Sequence, residues 1–130
     1  LSYTSFLYSQ PEVRLEADRS VVRCRISNSG ARAGREVVQA YVGAAEGMAD
    51  KPYQKLKGFA KTPRIGPGES CEIQIIIPMD RLSSYVPGTG WVVDPGEYTL
   101  RIGSSSRNIQ QEIRLPGIPG LILPPDGRLP

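Results

Sequence analysis

Between the turn at Pro95-Gly96 and the run Gly103-Ser104-Ser105-Ser106, the chain alternates apolar and polar side chains without a break. Tyr98, Leu100 and Ile102 fall on one side, Glu97, Thr99 and Arg101 on the other. A two-residue period belongs to a strand with one buried face; a helix of 3.6 residues per turn would scatter the three apolar side chains around its surface. Turn chemistry closes both ends. Proline presets φ and glycine accepts positive φ at 95–96, and the serines after Gly103 satisfy backbone groups locally. Such a strand needs a core to lie against.

The same punctuation recurs along the chain, where 14 glycines and 12 prolines in 130 residues leave little room for long helices. Residues 20–28 set Val22, Cys24 and Ile26 against Val21, Arg23 and Arg25, then break at Asn28-Ser29-Gly30. Residues 35–43 place Val38, Ala40 and Val42 inward. Val37, Gln39 and Tyr41 remain on the opposite face, which is unusually apolar for a solvated surface. Residues 55–61 give a short strand anchored by Leu56 and Phe59, with Gly58 marking a bulge, and residues 71–78 put Cys71, Ile73, Ile75 and Ile77 on one inner face. Residues 79–85 are expected to close one helical turn with Leu82 and Tyr85 packing inward. A brief strand follows at Trp91-Val92-Val93. Residues 108–115 complete the set, with Ile109, Ile113 and Leu115 aligned and Gln111 interrupting them.

About seven short strands, spaced roughly a dozen residues apart, predict an all-β fold: an immunoglobulin-like or fibronectin type III-like antiparallel sandwich, with a small closed barrel as the alternative. One sandwich domain is expected over residues 1–115. A Pro/Gly-rich tail, 116–130, is expected to be irregular because prolines stand at 116, 119, 124, 125 and 130. Its apolar cluster Leu121-Ile122-Leu123 is expected to dock on the sandwich or on a neighbouring domain.

The residues offer little chemistry. With no histidine in the chain, the usual general base and the commonest transition-metal ligand are both missing. Cys24 and Cys71 are too few for a structural zinc site and read as free, buried thiols, a single disulfide being the alternative. That choice leaves a secreted and a cytoplasmic setting both open. GPGES at 66–70 lacks the lysine and helix of a phosphate loop, and GSSSR at 103–107 runs on into another strand. The carboxylate pairs Asp94/Glu97, Glu69/Glu72 and Glu46/Asp50 read as turn caps or loop charge rather than as a glycosidase pair. The chain by itself is therefore expected to be non-catalytic and to carry neither cofactor nor metal.

A net charge of +3 is too mild for a nucleic-acid surface. Its one concentration, Lys51, Lys55, Lys57, Lys61 and Arg64, reads as a lysine-protected edge strand. No apolar run approaches the length of a membrane span. The chain opens on Leu1, so a segment of a longer polypeptide is expected. Val37 and Tyr41 are the first candidates for an interface, on the apolar outer face of their strand. The competing surface is a sugar-stacking platform of Trp91, Tyr53 and Tyr85.

Five segments taken in order carry a family resemblance: LSYTSFLYS at 1–9, ISNSGARAGREVVQAYVG at 26–43, KPYQKLKGFAK at 51–61, GPGES at 66–70 and WVVDPGEYTLRIGSSSRNI at 91–109. Together they resemble the C-terminal fibronectin type III-like domain of glycoside hydrolase family 3 β-glucosidases over nearly all of residues 1–115. The resemblance implies an accessory domain appended to two catalytic domains of the same polypeptide, which supply the nucleophilic aspartate and the acid/base residue. The parent would hydrolyse O-glycosidic bonds in carbohydrate metabolism. Its implied partners are those catalytic domains, with carbohydrate as a further candidate and neither nucleic acid nor membrane. Lys51, Pro52 and Tyr53 match a segment that faces the catalytic domains in the family, and so join the interface candidates. Here Lys and Tyr stand where related sequences often carry Arg-Pro and a small apolar residue.

Overall fold

Strands β1 (Phe6–Leu15) and β2 (Arg19–Asn28) form an antiparallel pair that β5 (Ser70–Pro78) extends into a three-stranded sheet, in the order β1-β2-β5. The computed structural model of the chain describes residues 5–16, 18–44, 55–93, 96–118 and 121–123. The β2–β5 register runs from Arg19 opposite Pro78 to Ser27 opposite Ser70, so Cys24 faces Ile73 and Val22 faces Ile75. These are β-branched or small apolar residues suited to a half-buried pleat. Facing this sheet is a four-stranded one, ordered β4-β3-β8-β9, built from β3 (Val37–Ala44), β4 (Lys55–Lys61), β8 (Gly96–Ser105) and β9 (Asn108–Ile118).

The core lies between the two sheets, where the alternation along each strand sends one side chain in two. Val22, Cys24, Ile26, Ile73, Ile75 and Ile77 from one sheet meet Val38, Ala40, Val42, Leu100, Ile102 and Leu115 from the other, all buried. Each of the larger side chains contributes about 1.5–3 kcal/mol by leaving water. Gly58 on β4 faces inward, and a Cβ there would lie 2.7 Å from Ile75 Cγ2. Close approach of the edge strand to β5 thus requires glycine.

At one end of the sandwich the buried Asn28 ties the turn that follows β2 to the segment at Ile65. Its amide donates to the carbonyls of Arg32 and Ile65 at 2.8 and 2.9 Å, and its Oδ1 accepts from the Gly30 amide at 2.8 Å. A buried polar side chain is tolerated when its capacity is used in this way. The opposite end carries a 3₁₀ turn, Met79–Leu82, followed by a ribbon of β6 (Ser83–Val86), β7 (Gly90–Val93) and β10 (Leu121–Ile122). Buried Met79, Leu82, Val93 and Leu123 fasten this ribbon to the core.

The fold class stands as expected, an all-β fibronectin type III-like arrangement, while several details differ. Ten strands occur among the described residues rather than about seven. β1 escapes a periodicity reading because Gln10 takes φ +50° before Pro11 and the register shifts between Ser9 and Glu12. That bulge interrupts the alternation. Leu56 and Phe59 are exposed rather than anchors: Gly58 and Ala60, opposite inward Ala40 and Val38, leave Phe59 outside, and the extra residue opposite the Ala40–Tyr41 step sends Leu56 outward as well. Tyr85 does not pack inward from a helical turn; it lies on β6 and is 62% exposed, while Met79 and Leu82 fill the space. The tail is not irregular from its start. β9 continues through Pro116, and β10 pairs with β7. Pro116 is accommodated because β9 is an edge strand and its register shifts there, between the pairs Gly96–Ile118 and Tyr98–Leu115.

Candidate functional site: an apolar sheet face

The outer face of the four-stranded sheet is built from residues that the inward alternation leaves behind. On β3 these are Val37, Gln39 and Tyr41. Across the β3–β4 ladder Val37 opposes Lys61, Gln39 opposes Phe59 and Tyr41 opposes Leu56; on the other side Tyr41 opposes Arg101 of β8. Directly opposed residues share a face, so the expected pair Val37 and Tyr41 is joined by Leu56 and Phe59. Val37 is 40%, Leu56 49% and Phe59 61% exposed. The Tyr41 hydroxyl donates to Gln39 Oε1, fixing both side chains over the middle of the face. Phe59 could have been assigned to this surface from the parity it shares with Lys57 and Lys61; Leu56 could not, because only the bulge sends it outward.

Charges frame the patch. Toward β9 the Arg101 guanidinium lies 3.0 Å from the Glu112 carboxylate, an exposed pair that contributes little to stability. Along the β4 edge, burial pushes the Lys57 ammonium down in pKa, and the charges of Lys55 and Arg81 add to the effect. Arg81 also donates from Nη1 to the Lys57 carbonyl at 3.2 Å. The β4 margin is therefore cationic.

The other sequence candidates fare differently. Lys51, Pro52 and Tyr53 lie outside the described residues. Trp91 and Tyr85, candidates on separate segments of the chain, are directly opposed on the β6–β7 ribbon, with ring centroids 5.5 Å apart. Their planes cross at 67°, an edge-to-face pair in which Trp91 is 37% exposed. Both cysteines are free thiols, Cys24 buried and Cys71 partly so. Among the described residues no three His, Cys, Asp or Glu side chains gather where they could hold a metal ion. Of the carboxylates weighed above, Asp94, Glu46 and Asp50 lie outside the described residues, and Glu69 folds back toward Gly66 within its own turn.

Comparison with known proteins agrees with this architecture. A family model described as the fibronectin type III-like domain matches residues 36–106. The chain belongs to the fibronectin type III-like domain family. Within it, the chain aligns with a segment of β-glucosidases of the glycoside hydrolase family 3 type. "Probable beta-glucosidase K" of Emericella nidulans is 39% identical over 117 residues, which is 86% of this chain and 13% of that protein. β-Glucosidase 3B from Thermotoga neapolitana, solved in complex with α-D-glucose, superposes with a TM-score of 0.84 at 45% identity, covering 93% of this chain and 17% of the other. A Kluyveromyces marxianus β-glucosidase structure gives 0.83 at 31% identity, covering 93% and 15%. The chain thus spans only about a seventh of the length of these relatives.

Proposed function

We propose that this chain is a non-catalytic accessory domain of a β-glucosidase-like exo-glycosidase, and that it stabilises the catalytic domains by docking on them through the outer face of its four-stranded sheet. One observation carries the reading: exposed Val37, Leu56 and Phe59 and the half-buried Tyr41 gather around Gln39 on one face of a sheet whose opposite face already has its core. A monomeric domain gains nothing by exposing such a cluster, whereas an interface core is built from one. The relatives' much greater length supplies the partner, and the cationic β4 margin favours an acidic rim on it.

Deleting the segment from its parent polypeptide is expected to lower the parent's Tm by several degrees and to reduce its activity. The excised chain is expected to bind the remaining catalytic portion. An absence of binding, together with unchanged melting and turnover after deletion, would sink the reading.

The alternative is a carbohydrate-binding module that uses Trp91, Tyr53 and Tyr85. It gains from the juxtaposition of Tyr85 and Trp91 but loses from their crossed rings, which offer a sugar no flat platform.

A further inference from the structure

At the end of the sandwich opposite the aromatic ribbon, the start of β1, the residues before β3 and the β8–β9 turn enclose a cleft of about 400 Å³. That is within the range of small-molecule sites, about 300–1,000 Å³. Gly103 lets β8 press against Asn108, and the turn that follows brings Ser104 and Asn108 to the rim. There the side chains form a relay: Gln110 Nε2 donates to Asn108 Oδ1 at 2.8 Å, and Asn108 Nδ2 donates to Ser104 Oγ at 2.7 Å. The relay fixes which groups still face outward. Gln110 Oε1 remains an acceptor, Asn108 keeps a second N–H, and the Ser104 hydroxyl keeps its hydrogen. Arg35, Glu36 and the half-buried ring of Phe6 complete the lining.

We infer that this cleft binds a neutral saccharide ring. Arg35 and Glu36 stand side by side with opposite charges, so the cleft favours neither a phosphate, which the carboxylate would repel, nor a metal cation, for which it has a single carboxylate. What it offers is a mixed set of donors and acceptors, three of them joined in the relay, beside one aromatic ring. A sugar matches that set. Each hydroxyl both donates and accepts, pairing with guanidinium, carboxylate and amide, and the C–H face of the ring lies on Phe6. Behind the lining, burial first and then the neighbouring Glu36 carboxylate raise the Tyr8 phenol in pKa, which places that carboxylate beside the Tyr8 hydroxyl. An open cleft with this few contacts binds weakly, in the millimolar range. The inference goes beyond the docking role and does not require it.

The test is a titration of the 130-residue chain with cellobiose, followed by NMR of the side-chain amides. Saturable shifts of the Asn108 and Gln110 NH₂ signals are expected, with the Trp91 indole signal unmoved. Gln110→Ala and Arg35→Ala, both at exposed positions, should keep the parent melting temperature and weaken binding about tenfold or more, as loss of a hydrogen bond to a rigid site does. Three results would overturn the proposal: no shift with cellobiose, the same amide shifts with inorganic phosphate, or sugar-induced shifts confined to Trp91 and Tyr85. None of them bears on docking, which is read from domain deletion.

Discussion

Gly103 and Asn108 approach so closely across the β8–β9 turn that a Cβ on Gly103 would sit 2.1 Å from the Asn108 carbonyl oxygen and 2.8 Å from Ile109 Cα. Those are backbone atoms, which cannot rotate away. Gly103→Ala is therefore expected to destabilise the chain by about 3 kcal/mol, in the range of overpacked sites. Thermal melting would register that as a fall of roughly 10 °C. An unchanged Tm would mean the turn relaxes freely and the approach is not needed.

Asn28 ties Gly30, Arg32 and Ile65 together from a buried position. Replacing it with alanine strands the Arg32 carbonyl and the Gly30 amide and leaves the Ile65 carbonyl only its Gly34 partner, so Asn28→Ala is expected to cost about 2–3 kcal/mol by urea denaturation. Asn28→Asp should be nearly as damaging, because its carboxylate can accept from Gly30 but cannot donate to either carbonyl. A loss under about 0.5 kcal/mol for both, the level of an ordinary surface change, would contradict the hub.

On the outer sheet face, Val37→Ser and Phe59→Ser remove apolar surface that touches solvent. The isolated double variant is expected to melt within about 2 °C of the parent chain. On the proposed docking, the same pair should lower the Tm of the parent polypeptide by several degrees, because there the face would be covered. Equal effects in both settings would remove the reason to call this face an interface.

Alkaline stability follows from three acids, Tyr8 and Cys24 buried and Cys71 partly so. Burial, aided by the Glu36 carboxylate, raises the Tyr8 phenol above its ordinary 10.0, and burial raises both thiols above their ordinary 9.0. A raised folded-state pKa means stability that is complete below the unfolded value and is lost as pH climbs past it. The chain should hold its stability up to about pH 9 and lose it progressively above, and Tyr8→Phe should flatten the part of that decline beyond pH 10. A flat stability profile from pH 8 to 11 would refute the assignment.

The thiols also differ in access. Iodoacetamide is expected to modify Cys71 first and to leave Cys24, wholly buried and donating to the Ser9 carbonyl at 3.4 Å, protected until the chain unfolds. Peptide mapping by mass spectrometry after timed quenching reads this order directly, and early labelling of Cys24 would contradict its burial.

Much of the architecture was legible in the residues. The alternation along 20–28, 35–43, 71–78 and 96–105 predicts Val22, Val38, Ile75, Leu100 and Ile102 as core, and all are buried. These strands are regular, so parity alone assigns their faces. Parity failed where the backbone leaves the pleat: at Gln10-Pro11, and at the bulge that sends Leu56 outward. It also failed at Tyr85, where a spacing compatible with one helical turn belongs to a 3₁₀ turn running straight into a strand. The candidate surface was largely visible. Val37 and Tyr41 follow from their own strand and Phe59 from its parity with Lys57 and Lys61, whereas Leu56 joins them only through the bulge in the β3–β4 register.

By itself the sequence determined the class of fold, the inward face of each regular strand and the lack of a histidine-based catalytic apparatus, because these depend on residue type and on a period set within one strand. Which strands become neighbours was decided only by the tertiary structure. So were the apolar face shared by β3 and β4, the crossed rings of Tyr85 and Trp91, and the cleft between Phe6, Glu36 and Asn108. The physical reason is that each arises from contacts between residues far apart in the chain, and bulges and turns that no local pattern specifies set their register.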